Sequence, residues 1–524
     1  MNRRSTTQAL IHDPSRRLFL RHSGVLSALV GSAAPLALNL AALGSASAQT
    51  AGQYKALVCV FMVGGNDSYN MLLPTDAASW SAYQAMRTQA PDPIALLAAG
   101  LPGDLATPAA SPARLGGVLP IAPFNAQGRS FALHPLLGSL QTLFDSDRRL
   151  AIVPNIGPLV MPTTKAQYAQ ASHPRPLRLF SHNDQQNTWQ ALGPEGASRG
   201  WGGRIADLLA SQNTQPVFTA VSATGNAVWL SGNTVRQYQV STNGAIRLGV
   251  DSGGRTFGSV EVGAALQRLA TSSRGSHPFD ADLAAVAQRS IAAEQVLGGG
   301  LRAASDAAFG TAPASGSYNA GNDPKLRYQS PLTGAGAANP LAQQMQIVAR
   351  LIDAGMRGVT GAQRQVFFVS LGGFDTHDNQ NRSQADLMAR LAQALQYFDT
   401  TVGALGARSQ VTTFTASDFG RTFTSNGDGT DHGWGGHHFV MGGAVRGGDL
   451  YGRFPVLGLK NSNNNNFDSS PDQLGNGSLL PEISVDQLGH TLGRWMGASD
   501  SDLAGIFPNL ANFDASRRDL GFMA

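Results

Sequence analysis

After Lys55 the chain reads Ala-Leu-Val-Cys-Val-Phe-Met-Val without a polar break, and Gly64-Gly65 ends the run. A strand that is apolar at every position must be buried on both faces, which occurs where helices cover both sides of a parallel sheet. The rest of the chain fits that frame. Leu150–Val153 and Val217–Val221 are further short buried strands, and 135–144 has helical spacing. Residues 341–356 place Met345, Val348, Ile352 and Met356 on one helical face. Strand Val366–Leu371, a helix over about 384–405 and strand Val411–Thr415 then form a βαβ unit by spacing. The expected fold class is α/β, with a largely parallel central sheet.

Three stretches follow neither period: 90–130, rich in Pro, Gly and Ala; 298–340, rich in Gly, Ala and Ser; and 459–478, with its Asn463–Asn466 run. Structureless loops of that length are uncommon inside compact domains, so these are expected to be surface insertions or lids on one domain spanning 49–524.

Residues 1–48 read as an address. Ser15-Arg16-Arg17-Leu18-Phe19-Leu20-Arg21 precedes a weakly apolar stretch from Gly24 to Leu43, and Ala46-Ser47-Ala48 supplies a small-residue cleavage pattern. Adjacent arginines before Leu-Phe-Leu mark a twin-arginine export signal, whose first partner is the twin-arginine export machinery. Gly31, Ser32, Pro35 and Asn39 interrupt the apolar stretch, which suits a removable segment better than an anchor. The expectation is a periplasmic or secreted protein with no stable membrane insertion after cleavage. The formal net charge is +4. Five arginines and one aspartate within 1–48 account for all of it, so the charge gives no reason to expect a nucleic-acid partner. The single cysteine, Cys59, excludes an internal disulfide framework and a four-cysteine metal site.

Chemistry is concentrated where the strands end. Strand 55–63 runs into Asn66-Asp67, strand 366–371 into Asp375-Thr376-His377, and strand 411–415 into Asp418-Phe419-Gly420-Arg421. In an open parallel sheet those ends share one edge, where ligands bind. Carboxylates brought together there repel unless one takes up a proton or a cation lies between them. Beyond Asp418 comes Asp431-His432-Gly433-Trp434-Gly435-Gly436-His437-His438, flexible enough to fold back over the same edge. Oxygen and imidazole donors suit zinc, manganese or iron better than calcium or magnesium. Asp67, Asp375, His377, Asp418, Asp431 and His432 are therefore candidate metal ligands. Of the neighbours His437 and His438, at most one is expected to face the site, and His438 is taken as a substrate contact. Each residue also has a structural counterpart: a turn former at Asp67, a strand-end turn at Asp375 and His377, a cap at Asp418, a loop histidine at His432.

Ser181 sits where a helix N-cap belongs, before His182-Asn183-Asp184. Beyond capping, a serine at a helix N-terminus beside metals can act as a nucleophile, and the helix amides favour an anionic substrate. His182 and Asn183 are then candidate substrate contacts. No Gly-x-Ser-x-Gly elbow surrounds Ser181, which argues against a Ser-His-Asp hydrolase. Arg421 is either a clamp on phosphate or sulfate oxygens or a structural partner of Asp418.

The chain resembles the DUF1501 family of twin-arginine-exported proteins. The resemblance rests on the leader, Gly64-Gly65-Asn66-Asp67, Ser181-His182 with Trp189, Gly200-Trp201-Gly202-Gly203-Arg204, Gly372-Gly373-Phe374-Asp375-Thr376-His377, Ser417-Asp418-Phe419-Gly420-Arg421-Thr422, Thr430-Asp431-His432-Gly433 and Gly442–Gly448. That family is in turn similar to the alkaline phosphatase and sulfatase superfamily. The resemblance implies a doubly wound α/β sandwich with metals at strand ends. It also implies a Ser181 nucleophile, one metal shared by Asp67, Ser181 and Asp418, and another held by Asp375, His377 and His432. Asp418 replaces the family's usual Glu before Phe-Gly-Arg, and Asp431-His432 stands in for the superfamily's adjacent Asp-His pair. The implied function is an exported metal-dependent hydrolase of phosphate or sulfate esters, acting on an anionic small molecule or polymer. The alternative is a non-catalytic envelope or extracellular binding or assembly protein that keeps the fold.

Overall fold

The computed structural model describes residues 54–251, 253–272, 275 and 277–524. The leader and its cleavage pattern lie outside them. The elements used below are β1 (Lys55–Val63), α1 (Ala77–Arg87), β2 (Leu150–Gly157), α2 (His182–Ala191), α3 (Trp201–Leu209), β3 (Ala220–Ser222), β4 (Tyr238–Ser241) and β5 (Gly244–Ala245). They continue with α4 (Val260–Thr271), α5 (Pro278–Gly300), α6 (Pro340–Met356), β6 (Arg364–Gly372), α7 (Gln380–Ala404), β7 (Val411–Ser417), β8 (Gly436–Gly442), β9 (Ile483–Ser484) and α8 (Val485–Met496).

β1 lies inside a nine-stranded sheet of order β9-β2-β8-β7-β1-β6-β3-β4-β5. Its alternate residues divide between two cores. Ala56, Val58, Val60 and Met62 pack with α6 and α7, while Leu57, Cys59 and Phe61 pack with α3 and α8. This is why the run is apolar throughout: neither face meets water. The pairings are parallel except at β8, which runs antiparallel to both β7 and β2, and at the edge strand β5. The sheet is thus large, mixed and mostly parallel.

The expected βαβ unit is β6-α7-β7, but its two strands are not neighbours. β1 is inserted between them, with Val63 opposite Gly372 on one side and Met62 opposite Ser417 on the other. The ends of β1, β6 and β7 therefore lie side by side at one edge. The segments that follow neither period carry only short elements, such as the Leu119–Ile121 strand and the Arg327–Gln329/Gly336–Ala338 pair. The described residues belong to one compact unit, Thr50–Ala524, and no helix among them is long and apolar enough to cross a membrane.

Candidate metal centre

β1 leaves the sheet through two glycines in left-handed backbone, Gly64 (φ 118°) and Gly65 (φ 83°). A Cβ at Gly64 would lie 2.4 Å from the Asp375 amide, and one at Gly65 would lie 2.3 Å from the Phe419 ring. Glycine is required here so that the turns after the three strands can stack closely. The guanidinium of Arg421, fully buried, knits those turns together. It donates to the carbonyls of Gly65 (2.9 Å), Gly64 (2.8 Å), Phe374 (3.2 Å) and Thr430 (2.8 Å), and to the Asp375 carboxylate. All of its nitrogens are engaged inside the protein, so Arg421 is neither a substrate clamp nor the partner of Asp418. It positions Asp375.

Three imidazoles converge on that carboxylate. The Nε2 atoms of His182, His377 and His432 lie 3.5, 3.2 and 3.4 Å from Asp375 Oδ1. Each ring is oriented from behind by an oxygen that can only accept. His182 Nδ1 is 2.7 Å from Asp418 Oδ2, His377 Nδ1 is 3.2 Å from Asp431 Oδ1, and His432 Nδ1 is 2.7 Å from the Phe180 carbonyl. The proton of each neutral ring is thereby placed on Nδ1, and its lone pair on Nε2. The Nε2 atoms of His377 and His432 are only 2.8 Å apart. His182 Nε2 is buried without a hydrogen-bond partner. Nitrogens facing one another and a carboxylate repel unless a proton or a cation lies among them. Metal-bound histidines are held in this way, with the far ring nitrogen donating to a carboxylate or carbonyl. The donor atoms of His182, Asp375 and His432 all lie within 4.8 Å of one another. The residues present fit a divalent cation bound by imidazole nitrogen and carboxylate oxygen.

Electrostatics divides the roles. Burial works against charge on Asp375, but the hydrogen bond and charge of Arg421, with the charges of His182 and His377, hold its carboxyl below the usual range. The hydrogen bond to Asp418 raises the pKa of His182 against the opposing effect of burial. Burial lowers that of His432, aided by the charges of His182, Arg421 and His377, which favours its neutral form.

The other expected residues fall elsewhere. Asp67 is fully buried in a two-pronged ion pair with Arg87 at the end of α1, at 2.6 and 2.9 Å. Gln380 donates to it at 2.5 Å and the Tyr69 amide at 3.2 Å, so its oxygens are already engaged and it is not a ligand of this centre. Its link to the centre runs through Gln380, whose Oε1 accepts from Thr376 (3.2 Å) and Thr430 (2.6 Å), one residue from the turn bearing His377 and one from the short strand Thr430–His432. Asp418, also fully buried, accepts from His182, from Gln186 (2.8 Å) and from the Gly64 amide (3.1 Å). It orients His182 and is not itself among the converging donors, and exposed Asp431 does the same for His377. His182 belongs with the donors and not with the substrate contacts. His438 is buried against Trp189 with Nδ1 3.2 Å from the Thr415 hydroxyl, because Gly436–Gly442 is a strand inside the sheet and not a loop. It therefore cannot touch substrate. Neither it nor His437, whose Nδ1 accepts from the Asn155 amide at 3.0 Å, joins the centre. The Ser181 hydroxyl donates to Asp184 at 2.9 Å and gives α2 no side-chain cap. Asn183 is exposed and donates to Glu195 at 3.3 Å.

Sequence reasoning missed Arg87, Gln186, Gln380 and the Phe180 carbonyl. Gln186 carried a signal: it lies one helical turn beyond His182, on the same face. Phe180 carried none, because its carbonyl reaches His432 only with the residue at φ 73°.

Comparison with solved structures finds low likeness. Ps i-CgsB, crystallised with k-i-k-neocarrahexaose, is 7% identical at TM-score 0.33, over 90% of this chain and 78% of that one. A protein of the core genetic locus with which Bacteroides thetaiotaomicron metabolises multiple glycosaminoglycans is 9% identical at TM-score 0.31, over 86% and 74%. Comparison with curated proteins finds no match. The family model described as "Protein of unknown function (DUF1501)" matches residues 54–504, and the chain belongs to that family.

Proposed function

We propose that this protein is an exported, metal-dependent hydrolase of phosphate or sulfate esters, built on a doubly wound alkaline-phosphatase-like fold and delivered to the periplasm or beyond by the twin-arginine signal of residues 1–48. The observation that carries the reading is the convergence of three Nε2 lone pairs on Asp375, each ring held from behind by an oxygen acceptor. His182, His432 and Asp375 would hold a divalent cation, zinc or manganese by donor type, with His377 beside them at the exposed mouth. Such a cation supplies Lewis acidity toward an ester oxygen and toward water. The protein's own part is positional. Arg421 fixes the Asp375 carboxylate, and Asp418, Asp431 and the Phe180 carbonyl hold the three rings in one tautomer. The N-terminus of α2, which has no side-chain cap, favours an anionic group beside His182. Ser181, whose hydroxyl is engaged by Asp184, stays out of the reaction, and water is the attacking group.

His377 favours a second reading, a binding or assembly protein of the envelope. As a fourth donor it would leave the cation no open position for substrate or water, as in structural zinc sites. Elemental analysis of the purified protein together with a panel of aryl phosphate and sulfate esters separates the two. The hydrolase reading expects about one divalent cation per chain, with turnover lost in His182→Ala and Asp375→Asn and kept in Ser181→Ala. Metal without turnover supports the second reading, and a protein that binds no divalent cation refutes both.

A further inference from the structure

Among the described residues, ten of the seventeen exposed large apolar side chains lie between Ile246 and Val286, far more than this short stretch would hold by chance. They concentrate on α4 and α5, which pack against each other and are tied by Gln288 Nε2 donating to the Thr271 carbonyl at 2.7 Å. Along α4 and the first half of α5 the buried positions are small, with Gly263, Ala284 and Ala287 facing inward, and the large buried residue of α5, Leu297, comes only near its end. The large residues face out. On α4 these are Val262, Leu266 and Leu269, exposed by 40%, 41% and 46%; on α5 they are Phe279, Leu283 and Val286, exposed by 75%, 70% and 50%. Both sets follow i, i+4, i+7, so each forms one continuous stripe. A helix pair ordinarily buries its large apolar residues, and over this stretch they stand exposed instead.

We infer that the outward face of α4 and α5 is the interface of a twofold homodimer, in which two copies of the helix pair close into a four-helix bundle. Two observations favour a second copy of this chain as the occupant. The first is size. The six side chains expose roughly 600 Å² of apolar surface, at the upper limit of about 300–600 Å² for the largest patch on a typical monomer. A standard interface takes about 800 Å² from each partner, so this stripe with its polar margin suffices. The second is charge. Exposed Glu261 stands near the start of α4 and exposed Arg268 near its end; on α5, exposed Asp280 and Asp282 stand near the start and exposed Arg289 further along. An antiparallel twofold sets the acidic start of each helix against the basic part of its mate, which is the self-complementarity that an isologous contact requires. A membrane surface fits less well, since interfacial helices carry mainly Lys and Arg on their polar face.

Sedimentation velocity on the purified protein between about 1 and 50 μM tests the inference, with the Leu266→Asp/Leu283→Asp double variant as comparison. Leu283 is 70% and Leu266 41% exposed in the single copy, and thermal unfolding of the variant checks that the fold tolerates both changes. The expected result is a dimer for the native sequence and a monomer for the variant, with unchanged thermal unfolding of the variant at low concentration. A native monomer across the whole range overturns the proposal, as does a dimer that survives the double substitution. Flotation of the native protein, but not the variant, with phosphatidylcholine vesicles while both remain monomeric would also overturn it and assign the face to lipid.

Discussion

Asp418→Asn tests whether Asp418 orients a ligand. All of this carboxylate's partners are donors: Oδ1 accepts from the Gly64 amide at 3.1 Å, and Oδ2 accepts from His182 Nδ1 at 2.7 Å and Gln186 Nε2 at 2.8 Å. An asparagine must turn an NH2 group toward one side or the other. Toward Gly64 it opposes a buried backbone donor, at a cost of about 1–3 kcal/mol. Toward His182 it drives the ring to the opposite tautomer, with a hydrogen on Nε2 aimed at Asp375. In both cases the carboxylate charge that raises the basicity of His182 is lost. Removing outer-shell partners of this kind typically lowers metal affinity by about 10–100-fold, which is roughly 1.4–2.7 kcal/mol at 1.36 kcal/mol per decade. Competition for zinc against a chromophoric chelator at pH 7.5 measures the change, and urea unfolding of the metal-free protein measures the separate cost to the fold. A folded Asp418→Asn protein that binds zinc within twofold of the native affinity would refute the assignment of His182 as a ligand held by Asp418.

Asp67→Asn leaves Arg87 as a buried charge without its counterion and is expected to destabilise the protein by about 3–5 kcal/mol, while the folded fraction keeps its full complement of metal; loss of metal at unchanged stability would restore Asp67 to the centre. Burial lowers the pKa values of His134, His437 and His438 to about 3, with a neighbouring histidine's charge assisting at His437. The unfolded chain takes up these protons below about pH 6.5 and the folded chain does not, so stability falls with acidification at roughly 1.4 kcal/mol per pH unit for each, about 4 together. Urea unfolding of the metal-free protein at pH 6 and pH 5 checks the slope, which His134→Gln should reduce by about 1.4 kcal/mol per pH unit. His182 behaves in the opposite sense. Its raised pKa means that the protonated ring stabilises the metal-free protein below about pH 6.5, an effect lost as pH rises through the folded value. Since a cation competes with that proton, the rise in Tm on adding zinc should be larger at pH 8 than at pH 6, and an equal rise at both would count against His182 as a donor.

Periodicity exposes what must be dry, and that much was legible here. β1 is apolar on both faces, and β6, α7 and β7 follow with recognisable spacing, so the edge holding Asp375 and Asp418 could be located from the sequence. Which way each acid points there is a different matter. Asp67, Asp375 and Asp418 all follow glycine- or serine-bearing strand ends, yet one is claimed by Arg87, one by Arg421 and one by His182. Those partners come from elements 20, 46 and 236 residues away, so no local pattern distinguishes them. β8 was hidden for a related reason. Gly436-His437-His438 looks like a flexible metal-binding loop, and only pairing with β2 and β7 turns the segment into a strand and withdraws both imidazoles from the edge. The centre is therefore assembled from residues whose roles depend on their partners more than on their own type. His182 becomes a donor because Asp418 stands behind it, and Asp67 fails to become one because Arg87 reached it first. For the same reason, substitutions at these supporting residues test the proposed metal centre as sharply as substitutions at the converging donors themselves.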